Sequence, residues 1–161
     1  MPDAPHPTTG DAHRATTLRF QGLTNRVTRT LLATPLVSRA VGRRLVTLYV
    51  VGRTSFRRLT IPVAYTRHDG DLLVGTPFGW GRNLRTGQPI ELRYKGSRRW
   101  ADVESYTAEA DVTRFYADMA RDNRQFAAFN KIGTTPQGDP DPEDLRLAWV
   151  GGARAFRLTV R

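Results

Sequence analysis

Between Gly52 and Arg58 the chain reads Gly-Arg-Thr-Ser-Phe-Arg-Arg, so three guanidinium groups, two hydroxyls and a glycine fall within seven consecutive residues. A turn of that composition between two apolar segments gathers charged forks, hydroxyls and backbone N–H groups at one point, the chemistry that holds a phosphate or carboxylate. Arg53, Thr54, Ser55, Arg57 and Arg58 are therefore the first candidate anion contacts, with Thr60 and Pro62 on the strand that leaves the turn. Pro62 has no N–H to give a neighbouring strand, which places it at an edge, at a bulge, or beside something other than a strand, such as a ligand. The plain alternative for the turn is an exposed hairpin connection whose arginines serve solubility.

Other chemistries are poorly supplied. With no cysteine, the sequence has no disulfide, thiolate metal site or cysteine nucleophile. His6, His13 and His68 are scattered, two of them in a Pro/Thr-rich head, and form no metal framework. Absence of an acid/base motif does not exclude hydride transfer, which asks mainly that a cofactor's donor carbon be held against an acceptor in a dry pocket. The proton that must follow comes from Tyr65, Tyr106, Tyr116 or water, and the sequence does not choose among them. Phe115, Tyr116, Phe126 and Phe129 either wall an acceptor pocket or fill the core.

Charge narrows the partners. The 161 residues carry a net charge of +10, almost wholly from arginine, since Lys95 and Lys131 are the lysines. No acid stands between Asp11 and Asp69, while eleven arginines from Arg14 to Arg67 do. That half suits a polyanionic small molecule, an anionic membrane surface or nucleic acid. Nucleic acid would call for aromatics interleaved with arginines on one strand face; the basic region offers Phe20, Tyr49 and Phe56, so nucleic acid is not the expected partner.

Several elements must position these groups. Residues 1–17 read as a disordered head and 18–161 as one domain. Leu23, Val27, Leu31 and Leu32, with Arg26 and Arg29 between them, give a basic amphipathic helix that either caps a barrel or lies on a membrane surface. Strands are expected at 45–51, 59–65, 72–74, 90–95, 99–106 and 155–160, with helices from about 108 to 129 and from Asp141, an N-cap followed by Pro142. This is an α+β architecture around a six-stranded antiparallel barrel. No apolar run approaches the roughly 20 residues of a membrane span, so a cytoplasmic protein is expected, with peripheral membrane contact as the open alternative.

Gly52-Arg53-x-Ser55, Pro62, the Asp69-Gly70 turn, Trp80-x-x-Asn83-Leu84 and Lys95-Gly96-x-Arg98 resemble, in order and spacing, the deazaflavin-dependent nitroreductase family of actinobacteria. The likeness covers about Val41 to Glu104. It implies a six-stranded split β-barrel of the superfamily that includes pyridoxamine phosphate oxidase, often a homodimer, binding the anionic deazaflavin coenzyme F-420. Such an enzyme passes hydride to a small hydrophobic acceptor: a quinone, an activated alkene or a nitro compound. By position, the resemblance places Arg53, Ser55 and Pro62 in the cofactor-binding loop and strand, Thr76, Pro77, Phe78 and Gly79 along the ring and phosphate, and Trp80 and Asn83 in the Trp-x-x-Asn-Leu element. A core anchor for Trp80 and a helix cap for Asn83 are the structural alternatives. Thr54, Phe56 and Leu59 depart from the family pattern, and Arg57 and Arg58 are the neighbours that can supply the displaced charge. The runner-up is an FMN-binding barrel, whose single phosphate needs fewer arginines; the third reading is a non-catalytic flavin, haem or polyanion carrier.

Overall fold

The computed structural model describes residues 44–161; the expected disordered head and basic amphipathic helix lie outside them. Seven strands form one antiparallel sheet: β1 (Leu45–Val51), β2 (Arg58–Ala64), β3 (Thr66–His68), β4 (Asp71–Thr76), β5 (Ile90–Tyr94), β6 (Ser97–Tyr106) and β7 (Arg154–Val160), in the order β2-β1-β5-β6-β7-β4-β3. The two edge strands, β2 and β3, are consecutive in the chain and separated by Tyr65 alone. The sheet is therefore curled into a half-barrel whose margins meet at one residue.

That junction corrects the expected count of six strands. The 59–65 run forms β2, which ends at Ala64; Tyr65 donates its N–H to the Arg44 carbonyl at 3.1 Å, and the next three residues, where no strand was expected, pair with β4, Thr66 opposite Leu73. A short seventh strand thus follows β2 after one residue and lies on the opposite margin, with Tyr65 and Thr66 both buried where the alternation of β2 ends. The helical segment from 108 to 129 is also divided. Asn123 adopts an extended backbone (φ −138°, ψ 104°), and its side chain accepts from the N–H groups of Gln125 and Phe126, ending α1 (Glu109–Asp122) and capping α2 (Arg124–Phe129). A third helix, α3 (Pro142–Val150), begins as its signals require, with Asp141 accepting from Glu143 and Asp144 N–H groups.

Two packed layers result. Val46, Leu48, Val50, Leu72, Val74, Leu92, Val103, Phe156 and Leu158 point into the curl and are buried. On the outer side of β4 and β7, Leu73 and Ala155 pack against Val112, Phe115, Tyr116 and Met119 of α1 and Leu145 of α3. Covered on both faces, β4 reads as the continuous run Leu-Leu-Val, whereas β1 alternates buried and part-exposed residues. Gly75 allows the close approach of α1: a Cβ there would lie 2.8 Å from Tyr116 Cε2 and 2.9 Å from Met119 Cε. The turns Asp69-Gly70 and Lys95-Gly96 both hold positive φ at each residue, the tight reversal that glycine in second place favours. Among the described residues no helix is long and apolar enough to cross a membrane, and no cluster of acids and histidines could hold a metal ion.

Candidate functional site

The Gly52–Arg58 turn spends most of its polar groups on itself. Gly52 donates its N–H to the Arg57 carbonyl (2.9 Å), Phe56 donates to the Gly52 carbonyl (2.9 Å) with φ at 53°, and Arg57 donates to Ser55 Oγ (3.3 Å). Ser55 Oγ sits 2.6 Å from where a Cβ on Gly52 would stand, so only glycine admits the inward hydroxyl. The remaining link runs outward. Arg53 donates its N–H to Asn83 Oδ1 (3.1 Å), and Asn83 Nδ2 donates to the Trp80 carbonyl (3.0 Å). Asn83 thereby ties the β1–β2 turn to a 3-10 turn at Gly79–Asn83 that closes this end of the curl.

The 3-10 turn is itself held from below. Thr76, almost fully buried, accepts the Phe78 N–H at 3.1 Å through Oγ1, and Gly81 lies so close to the core that a Cβ would meet Thr76 Cγ2 at 2.7 Å and Phe156 at 3.2 Å. Trp80 packs part-buried against the inner core. This clamping holds the backbone at Arg82, whose exposed side chain lines two adjoining depressions. One, of about 290 Å³, is lined by Pro77, Phe78, Gly79, Thr107, Trp149 and the Gly151–Ala153 turn. The other, of about 340 Å³, is lined by Arg53, Leu84, Arg85, Thr86 and Ser105. Arg82 and Arg154 line both. Phe129 of α2 stacks edge-on to Phe78, with ring centroids 6.0 Å apart.

Four guanidiniums therefore converge where no acidic side chain lines either depression, and none of the four has a carboxylate partner among the described residues. Sites of this kind suit an anion, because each added phosphate or carboxylate oxygen relieves mutual repulsion and gains charge-assisted hydrogen bonds. The neighbouring depression supplies proline, phenylalanine and tryptophan surface for an apolar, flat group. Trp149 is oriented by its indole N–H, which donates to the Thr107 carbonyl at 2.9 Å.

Of the residues expected from sequence, Arg53, Pro77, Phe78 and Gly79 line this cleft, while Thr76, Trp80 and Asn83 build its floor and latch. Thr54, Ser55 and Arg57 are exposed on the turn and line neither depression. Arg58, Thr60 and Pro62 lie along β2, where Arg58 is ion-paired with Glu91 and sits 4.7 Å from the Tyr49 ring centre. Arg82, Arg85, Arg154, Thr107 and Trp149 were not singled out. Arg82 and Arg85, three apart beside Trp80-Gly81, carried a local signal. Arg154 reaches the cleft through β7 pairing and Trp149 through its place on α3 and its hydrogen bond to Thr107, and neither carried a local signal.

None of the tyrosines considered as proton donors lines either depression. Tyr106 donates to Glu104, and that hydrogen bond, then burial, raises its hydroxyl above the ordinary value. Tyr116 is fully buried without a hydrogen-bond partner, which pushes it strongly upward. Tyr65 is raised by burial at the opposite end of the curl, where Arg67 donates to Tyr94 Oη at 2.7 Å.

No protein-family model matches the sequence, and no curated protein does. Among solved structures, the chain is similar to the crystal structure of the conserved hypothetical protein Rv2991 from Mycobacterium tuberculosis, at 13% identity over 74% of each chain with a TM-score of 0.47.

Proposed function

We propose that the protein is an oxidoreductase that uses a deazaflavin cofactor of the F-420 type to pass hydride to a small hydrophobic acceptor. The observation that carries this reading is the convergence of Arg53, Arg82, Arg85 and Arg154, without a carboxylate, beside the Phe78–Trp149 wall. The donor set fits such a group: guanidinium forks match phosphate and carboxylate oxygens, and the apolar depression matches a ring system. When bound, a reduced deazaflavin supplies the hydride. Arg53, Arg82, Arg85 and Arg154 would hold its anionic part, and the depression lined by Pro77, Phe78 and Trp149 would take its ring.

The curl of the sheet, with its margins meeting at Tyr65, supports a split-barrel framework, and a homodimer accords with the sequence resemblance. FMN is the second reading. Its single phosphate engages two guanidiniums comfortably, so a site with four favours the cofactor bearing further carboxylates.

Titration of the purified chain with oxidised coenzyme F-420 and, in parallel, FMN tests the proposal. Saturable F-420 binding that weakens at least tenfold in Arg82→Ala and Arg154→Ala, but not in Arg57→Ala, is the expected result. FMN binding alone moves the protein to the second reading. Failure of both ligands to bind rejects a flavin-type cofactor.

A further inference from the structure

The helices pack on β3, β4 and β7 and on Tyr106 at the end of β6, so the outer face of β2, β1, β5 and the first part of β6 is left to solvent among the described residues. Strand register arranges that face in rows. Trp100, Glu91, Tyr49 and Thr60 lie abreast in one, and Arg98, Arg93, Thr47 and Pro62 in the next. Trp100 is 54% exposed. It stands two strand spacings from Tyr49, roughly 10 Å. The guanidiniums of Arg58 and Arg98 both lie against the Tyr49 ring, at 4.7 and 4.9 Å from its centre, and both donate to Glu91, which pins them in place. Arg93 is exposed and has no acidic partner among the described residues.

We propose that this face binds single-stranded nucleic acid. Sheet pairing produces what no single strand of the sequence contains, an exposed indole and oriented guanidinium planes alternating with unpaired positive charge. Bases stack on Trp100 and on the planes of Arg58 and Arg98, and the phosphates are drawn by Arg93 and the outward N–H groups of its neighbours. Charge decides against a second copy of the chain as the occupant. The one carboxylate in the two rows, Glu91, is already shared by two guanidiniums, so a self-paired face would set arginines against arginines. A duplex hides its bases from a flat aromatic surface and offers it phosphates alone. The face lies on the outside of the sheet, apart from the arginine cleft, and this inference stands whether or not a deazaflavin binds there.

The test is fluorescence anisotropy of a labelled thymidine oligomer about 12 nucleotides long, with the full chain at several salt concentrations. Trp100→Ala is expected to weaken binding about tenfold and Trp100→Phe much less. Arg93→Ala should flatten the slope of log affinity against log salt by about 0.7, and a duplex of equal length should bind more weakly than the single strand. Arg82→Ala, in the cleft, should leave the oligomer affinity unchanged. The proposal is overturned if no binding occurs, or if Trp100→Ala and Arg93→Ala bind as the parent does, which assigns any affinity to other arginines of this basic chain. It is equally overturned if Trp100→Ala instead converts a dimer to a monomer in sedimentation with oligomer affinity intact, which gives the face to a second copy.

Discussion

Arg154 and Arg157 lie three residues apart on β7 and are used in opposite ways. Arg157 donates to Asp71 of β4 at 2.5 Å, across 86 residues of sequence, and joins neighbouring strands through a carboxylate that is almost buried. Arg154, at the strand's beginning, joins Arg53, Arg82 and Arg85 with no carboxylate within the cleft. Arg58, Arg98 and Arg161 follow the first pattern, each paired with Glu91 or Asp102. Paired charges lock strands together, whereas clustered like charges hold repulsion that a ligand relieves. The two groups should therefore separate under mutation, one governing stability and the other anion affinity.

The largest expected effect breaks the cleft without touching a charge. Gly81→Ala forces a Cβ to within 2.7 Å of Thr76 Cγ2, so the 3-10 turn must move; a loss of about 2 kcal/mol in denaturant unfolding is expected, together with loss of pyrophosphate binding in calorimetry. Retained binding would show that Arg82 does not depend on that turn. Next comes the direct contrast. Arg82→Ala should lower pyrophosphate affinity about tenfold while leaving the thermal midpoint unchanged or slightly raised, and Arg157→Ala should lower the midpoint and leave affinity intact. Identical behaviour of the two variants would erase the distinction drawn between them.

Asn83→Ala sharpens it further, because Asn83 contributes no charge. Loss of its two hydrogen bonds, to Arg53 N–H and the Trp80 carbonyl, is expected to cost about 1 kcal/mol and to weaken anion binding severalfold as Arg53 swings free. The smallest effect concerns pH. Hydrogen bonding from Arg161 holds the Asp102 carboxyl below its usual range in the folded protein, so its stabilising contribution is complete above the ordinary carboxylate value and is lost as pH falls through the lower, folded one. Asp102→Asn should remove that part of the acid limb in a thermal-melt series, and an unaltered limb would assign it to other carboxylates.

Much of the framework was legible because local chemistry determined it. Asp141-Pro142 specified a helix start, the Asp69-Gly70 pair a hairpin turn, and the apolar, β-branched run Leu45–Val51 a strand; the second hairpin was legible too, with its turn read at Gly96-Ser97 where the structure turns at Lys95-Gly96. The strand Thr66–His68 was not legible, since its three polar residues ahead of the Asp69-Gly70 turn carry no apolar alternation and only pairing with β4 reveals it. Asn123 illustrates the same limit: the apolar period of the helix runs through it, while the extended backbone and side-chain cap that divide the helix depend on packing. At the cleft, residues near Trp80 could be inferred from their own neighbourhood. Arg154 could not, because its place beside Arg82 follows from pairing with Thr76, far away in sequence.

The position of β7 between β4 and β6 has a further consequence, for the order in which the chain is made. Both of its neighbours are synthesised well before it, and until β7 has left the ribosome β4 and β6 each present an unpaired edge to the surroundings. The sheet cannot be completed progressively from one side. Its central seam closes only when β7 arrives, so the nascent chain depends on chaperone protection or on fast late zippering to avoid pairing those edges with another molecule.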